Sequence, residues 1–183
     1  MSCPNNIIEK IEKAQDSYYE KNSKHVFFKN KQKLDCANYI SNNMNLEELI
    51  QSTIVILPNT NKIYYNYLLF KLYANEKCFE LLYIHMIKMI QTILMNYSTF
   101  EFHINLQTFS ISACQRYYQL ITSTLSSNQL YFDKMDKIVI YHTPNIIDSI
   151  TRLLYNYVKN MLDKVEYVKE DSENRIKILF NIQ

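Results

Sequence analysis

The chain of 183 residues contains no glycine and no tryptophan, and it has only three prolines. Glycine supplies positive φ angles and lets the backbone approach a ligand closely. Its absence therefore excludes a glycine-rich phosphate loop, a G-x-G-x-x-G dinucleotide fingerprint and a G-x-S-x-G nucleophile elbow. An EF-hand loop with its usual glycine is excluded as well. The sequence predicts a binding or interaction protein that is not an enzyme and uses no cofactor.

The abundant residues share a codon bias. Asn, Ile, Lys and Tyr are frequent, and Tyr alone occurs 16 times. A/T-rich codons encode these four residues, whereas the missing ones mostly need G or C. The composition therefore indicates an A/T-rich genome, such as that of a large DNA virus, an amoeba or an apicomplexan.

Length and charge fit one globular unit. Hydrophobic residues make up 48% and charged residues 21% of the chain, which is typical of a folded domain. A chain of this length buries roughly 70% of the surface that its unfolded form exposes. The net charge of +2 is too small to favour nucleic acid as a partner.

Cysteine usage and charge placement predict an intracellular, cytoplasmic protein, either free or peripheral to membranes. The four cysteines are widely spaced, without a C-x-x-C pair, and are expected to be free and mostly buried thiols. Residues 1–20 are charged where a secretory signal would be apolar. The most apolar stretch, 81–95, is interrupted by His85, Lys88 and Gln91, which favours a core helix over a membrane span. The cysteines are Cys3, Cys36, Cys78 and Cys114.

Hydrophobic periodicity predicts alternating helices and strands from residue 53 onward. Such alternation implies right-handed crossovers, and hence an α/β fold with a mixed, partly parallel sheet flanked by helices. Residues 1–50 are predicted to form an N-terminal helical segment packed on, or extending from, an α/β domain at 51–183. The predicted helices are 5–21, 46–51 capped by Asn45, 76–97, a helix starting at Ser110 or Ser112, and 145–162; the predicted strands are 53–57, 62–72, 100–106, 137–141, 164–168 and 176–180.

Two local features are weak candidates for a metal site or a binding contact. Cys78 and His85 are seven residues apart on one helix, but two ligands do not make a structural zinc site, so no metal is predicted. The segment 24–33 is basic and contains two phenylalanines. It is either a solvated loop or a contact for a membrane surface or another anion. The residues of that candidate contact are Lys24, Phe27, Phe28, Lys29, Lys31 and Lys33.

The region 53–168 resembles the lipid-binding CRAL-TRIO (Sec14-like) family. The family has a strand ending in hydrophobic-Asp-Leu-x-Gly-hydrophobic-Ser, and this chain has I-N-L-Q-T-F-S at 104–110. A later family strand ends in Asn-x-Pro, and this chain has I-V-I-Y-H-T-P at 138–144. An amphipathic helix, which gates the lipid pocket in the family, and a short strand follow in both.

Three positions depart from the family pattern. Asn105 replaces the Asp, Thr108 replaces the Gly, and His142 replaces the Asn of Asn-x-Pro. A threonine is costly at positive φ, so we expect the turn at Thr108 to differ from that of the family. The chain is also shorter than lipid-transfer members and is more similar to small members that act as interaction modules.

The resemblance implies a non-catalytic module that binds a lipid or other hydrophobic ligand, a protein partner, or both, at a membrane surface. The sheet would form the pocket floor and a mobile helix its wall. The alternative is that this helix packs directly on the sheet and leaves no cavity. A second function class is a structural or scaffolding protein of a large DNA virus that acts through a partner protein or a homo-oligomer. The predicted ligand contacts are His103, Asn105 and Tyr141 from strands and Ile150, Leu153, Leu154 and Tyr157 from the helix.

Overall fold

A computed structural model describes residues 4–22, 29–127 and 129–181 of the chain, and it confirms the predicted fold class. Within these ranges the helices are α1 (Pro4–Lys21), α2 (Lys29–Asn43), α3 (Leu46–Thr53), α4 (Tyr67–Tyr73), α5 (Glu76–Leu94), α6 (Ile111–Arg116), α7 (Tyr118–Ser127), α8 (Gln129–Phe132), α9 (Ile147–Val158) and α10 (Ser172–Leu179). A 3₁₀ helix (Lys159–Lys164) follows α9. The strands are β1 (Ile54–Ile56), β2 (Lys62–Asn66), β3 (Phe100–Asn105), β4 (Met135–Tyr141) and β5 (Val165–Val168).

The five described strands form one sheet in the order β1-β2-β3-β4-β5. β1 and β2 are an antiparallel hairpin, whose turn places Asn59 at φ 59°. The remaining pairs are parallel because helices connect β2 to β3, β3 to β4 and β4 to β5. The strands therefore lie side by side in the order in which they occur along the chain.

The sheet has two faces of different character. We call inner face the one that carries Tyr65, Phe102, Ile104, Ile138 and Ile140, because α4 to α9 lie against it. Right-handed crossovers between neighbouring parallel strands place all their helices on one side of the sheet, as observed. The outer face, of opposite parity, is covered by α10. The outer-face residues include Tyr64, His103, Val139, Tyr141 and Val168.

The N-terminal helices belong to the same hydrophobic core as the sheet. Ile11 in α1, Ile40 in α2 and Leu49 in α3 are fully buried, and they pack in one cluster with Ile63 of β2. The Asn45 side chain caps α3 as predicted, by accepting hydrogen bonds from the second and third backbone N–H groups of that turn. The segment that the sequence left either packed or extended is thus packed on the core.

The predicted strand at 62–72 is wrong in its second half. β2 ends at Asn66, whose side chain accepts a hydrogen bond from the Leu68 backbone N–H at 3.1 Å. That cap starts α4, in which Tyr67 and Phe70 lie one turn apart and face the sheet. The run of apolar and aromatic residues resembles a strand because a buried helix is just as rich in them.

The predicted strand at 176–180 is also wrong, because these residues lie in and directly after α10. Asp171 takes a left-handed φ of 57° and turns the chain after β5. The Ser172 hydroxyl then donates to the Val168 carbonyl at 3.0 Å and accepts from the His142 N–H at 2.8 Å. Ile176, Leu179 and Phe180, spaced as one helical face, pack on the outer face of the sheet.

Two further predictions concern the chain as a whole. Cys36, Cys78 and Cys114 are free and buried, as expected, whereas Cys3 lies outside the described residues. Across the described ranges, no helix has both the length and the apolar character that a bilayer crossing requires.

Candidate functional site

A cavity of about 300 Å³ lies between the inner face of the sheet and its helices. Phe102 and Ile104 of β3 and Ile140 of β4 form its floor. All three are only partly buried, although they belong to the two central strands. In a filled α/β core such side chains would be in contact with helix residues on all sides. Their exposure therefore shows that the helices stand off from the middle of the sheet.

The cavity wall is mostly apolar. Its lining among the described residues consists of aliphatic, methionine and aromatic side chains together with Thr124 and Thr151, and it contains no charged residue. The main helix contributions are Leu82 and Met86 from α5, Leu120 and Ile121 from α7, and Ile150 and Leu154 from α9. An arrangement of this kind is typical of sites for hydrophobic ligands.

The size of the cavity gives it an energetic meaning. Unfilled space in a protein core costs about 24 cal/mol per Å³, so a sealed and empty cavity of 300 Å³ would cost about 7 kcal/mol. The whole stability of a domain is about 5–15 kcal/mol. The space is partly open to solvent, so this cost does not apply in full, and an apolar occupant would remove its lining from water.

The predicted helix wall is partly in place. Ile150 and Leu154 are buried and line the cavity. Leu153 is 45% exposed and lies away from the cavity. Tyr157 does not line it either, and contacts Tyr118 at the start of α7. Only two of these four α9 residues line the cavity, because the apolar stripe of the helix is narrower than its run of apolar residues suggests.

The three predicted polar contacts do not face this cavity. His103, Asn105 and Tyr141 lie on the outer face of the sheet, and each is buried. Of the seven predicted ligand contacts, three therefore lie on the outer face of the sheet and four lie in α9. Only Ile150 and Leu154 reach the cavity. Strand alternation separates polar from apolar positions correctly, but the polar positions lie on the outer face of the sheet, opposite to α4 to α9.

His103 is the centre of a buried hydrogen-bond network on the outer face. Its Nε2 lies 3.0 Å from Glu101 Oε2, and its Nδ1 lies 2.9 Å from the Tyr141 hydroxyl. Because a carboxylate only accepts, Nε2 carries the proton and Nδ1 accepts from Tyr141. Burial lowers the pKa of His103, while Glu101 opposes this effect. Burial also raises the pKa of Tyr141 to about 12, so this network is neutral at its centre.

The threonine in the turn after β3 takes a positive φ in spite of its steric cost. Thr108 has φ 66°, the left-handed conformation that a glycine would adopt most easily. Its Oγ1 accepts a hydrogen bond from Lys71 Nζ at 2.8 Å, which helps to hold the turn. His142, at the third departure, is also left-handed, with φ 49°. Both turns lie at the carboxyl ends of central strands, where α/β sheets commonly bind ligands.

The basic segment is described only in part. Lys24, Phe27 and Phe28 lie outside the described residues, and Lys29 begins α2. Lys31 and Lys33 are exposed on α2.

Sequence reasoning missed Lys71, which lies near this basic segment. Burial, followed by the nearby charge of Lys33, lowers the pKa of Lys71. Lys71 could not be identified from the sequence because it stands in a stretch that was predicted to be a strand.

The predicted weak pair of Cys78 and His85 is used for local structure. The Cys78 thiol donates to the Asn75 carbonyl at 3.0 Å at the start of α5, and burial raises the pKa of that thiol. His85 Nε2 lies 3.1 Å from the Ile54 carbonyl oxygen. Among the described residues, no three His, Cys, Asp or Glu side chains are placed to hold a metal ion.

Comparison with known proteins adds no relative. No protein-family model, no curated protein and no solved structure matches this chain.

Proposed function

We propose that this domain is a non-catalytic module that binds a hydrophobic ligand, such as the chain of a lipid, in the cavity beneath α5, α7 and α9. The cavity itself supports the proposal: it has a volume of about 300 Å³ and an uncharged, mostly apolar lining. Pockets for small ligands start at about 300 Å³ and are mostly apolar. The free thiols of the described cysteines fit an intracellular setting. In that setting the domain would contact a membrane at its surface, because the described ranges contain no helix that could cross a bilayer.

The first test is the mass of the native protein. Native mass spectrometry of protein purified from cells should show a bound hydrophobic molecule, which organic extraction removes. The stripped protein should bind N-phenyl-naphthylamine, an uncharged dye that fluoresces in apolar sites. A clean apo mass together with no dye binding contradicts the proposal.

The second test fills the cavity from its floor. Ile140→Phe adds volume at a partly buried position of β4 that faces the cavity. We expect dye binding to be lost and the free energy of unfolding to stay equal or rise by up to about 1 kcal/mol. If the helices in solution pack directly on the sheet, the larger side chain instead lowers stability by about 1–3 kcal/mol. Leu153→Phe, at an exposed position of α9, is the matched control and should leave dye binding unchanged.

A structural role through protein contacts is the second candidate. Met95, Leu130 and Ile178 are 82%, 87% and 71% exposed, and an interface between proteins would bury side chains of this kind. They lie at the end of α5, in α8 and in α10. A stable oligomer with a clean apo mass would favour this role over ligand binding.

A further inference from the structure

A second concave region lies beside the cavity. It is a cleft of about 350 Å³ between α5 and α7. One wall is formed by Glu76, Phe79 and Glu80 of α5. The other wall is formed by Gln119, Ser123 and Ser127 of α7. In contrast to the cavity, most of the residues that line it have a polar group, although most of the lining area is apolar.

The cleft and the cavity are adjacent. Tyr83, Leu120 and Thr124 line both of them, so these three side chains stand at their junction. None of the described residues of α7 is fully buried, which shows how little this helix is enclosed. The cleft therefore shares part of its wall with the apolar space under the helices.

The charge of the cleft has one sign. Glu76 and Glu80 are the only charged residues in its described lining, and both are exposed. Neither forms an ion pair with a described residue. Lys77, which lies between them in the sequence, directs its Nζ to Asn42 at 3.4 Å instead. A group held in the cleft thus meets two carboxylates together with hydroxyl and amide groups.

We propose that this cleft is the entrance to the cavity and that it selects single-chain amphiphiles with an uncharged or positively charged polar end. The inference rests on the proposed function. The apolar chain lies in the cavity, and the polar end stays between α5 and α7. A cavity at the lower limit of ligand sites has room for one chain rather than two. An anionic end is disfavoured because it would lie against Glu76 and Glu80.

The test compares three amphiphiles of one chain length. Lauryl amine, lauryl alcohol and laurate compete with N-phenyl-naphthylamine for the stripped, full-length protein, each below its micelle concentration. We expect the amine to bind about tenfold more tightly than laurate, with the alcohol between them. The difference between amine and laurate should shrink as salt is added, because the carboxylates are exposed.

Charge removal assigns the preference to the cleft. In the double variant Glu76→Gln, Glu80→Gln the three affinities should converge, while that of the alcohol stays as in the wild type. Glu12→Gln, at an exposed position of α1, is the control and should keep the preference. If the wild type binds all three equally, or prefers laurate, the charge selection is overturned while the cavity stands. If none of the three displaces the dye and the dye itself does not bind, the proposed function fails instead.

A second variant tests the route. Ser123→Trp narrows the cleft without touching the cavity, because Ser123 lines the cleft alone. Dye association in stopped-flow measurements should slow severalfold, with the free energy of unfolding unchanged. Ser126→Trp, exposed on the same helix and outside the cleft, is the matched control. Equal association rates in both variants overturn the assignment of the entrance.

Discussion

At the scale of single residues, the lack of glycine leaves left-handed backbone positions to other side chains. Positive φ angles occur at five described residues, and three of them are Asn or Asp, which tolerate this region best. Thr108 is different, because its branched Cβ is crowded at φ 66°. The conformation is held by the surrounding strand end and by the hydrogen bond from Lys71. The five residues are Asn59, Thr108, His142, Asp171 and Asn181.

This strain predicts a stabilising substitution. Thr108→Gly should raise the free energy of unfolding by about 1 kcal/mol, because glycine adopts positive φ without a steric cost. Urea denaturation measures the change. The control is Asn59→Gly at φ 59°, where Asn is already tolerated and the gain should be at most a few tenths of a kcal/mol. An equal gain at both positions would show that Thr108 is not strained.

At the scale of elements, strict alternation of apolar and polar residues predicts strands correctly, and clear cap residues predict the starts of helices correctly. The alternating residues at 100–106 predict β3, and the apolar run at 137–141 predicts the last five residues of β4. Ser110 starts α6, where its side chain accepts from the Ala113 N–H at 3.2 Å. Prediction failed for α2 because that helix has a weak apolar stripe, and for α4 because its start depends on a single asparagine cap.

The error at α10 bears on the face to which the predicted polar contacts belong. Ile176, Lys177 and Ile178 alternate as in a strand, yet only Ile176 packs on the sheet and Ile178 is 71% exposed. With a strand in place of α10, nothing covers the outer face. The family resemblance, in which the sheet forms the pocket floor, puts the polar positions of β3 on the same side as the gating helix. Alternation separates two faces, but only tertiary packing determines which helix covers each one.

The packing of α10 can be tested on two neighbouring positions. Phe180→Ala removes the edge-to-face contact with Tyr64, whose ring centroids are 4.8 Å apart. The free energy of unfolding should fall by about 2 kcal/mol, because an aromatic contact and partly buried apolar area are lost together. Ile178→Ala, at the exposed position of the same helix, should cost less than about 0.5 kcal/mol. Similar losses for both variants in thermal or urea unfolding would contradict this packing.

At the scale of the whole molecule, the sheet separates two chemical environments. The inner face carries the apolar cavity, and the outer face carries the buried network of Glu101, His103 and Tyr141. Protonation of this network takes place on the outer face, whereas the proposed ligand binds at the inner face. Acid should therefore weaken the fold without changing the apolar contacts of the ligand.

This separation predicts a pH dependence with a definite sign. Burial lowers the pKa of His103, so the unfolded chain takes up a proton at higher pH than the folded protein does. The contribution to stability is complete above about pH 6.5 and is lost as the pH falls toward the lowered value. Urea unfolding of the wild type and of His103→Gln across this range should show a flatter profile for the variant. Dye affinity should stay constant over the pH range in which the fold is intact. Parallel profiles for the two proteins would show that His103 does not carry the effect.

The strand order has a consequence for how the molecule forms. Each described strand after β1 pairs with the one that precedes it in the chain, and none of the five inserts between two earlier ones. Each pairing therefore closes one hairpin or one helical crossover, which keeps the entropy of loop closure low for a parallel sheet. During synthesis the sheet can grow from β1 toward β5 as the polypeptide emerges from the ribosome. α10 emerges after β5, so the outer face is the last to be covered.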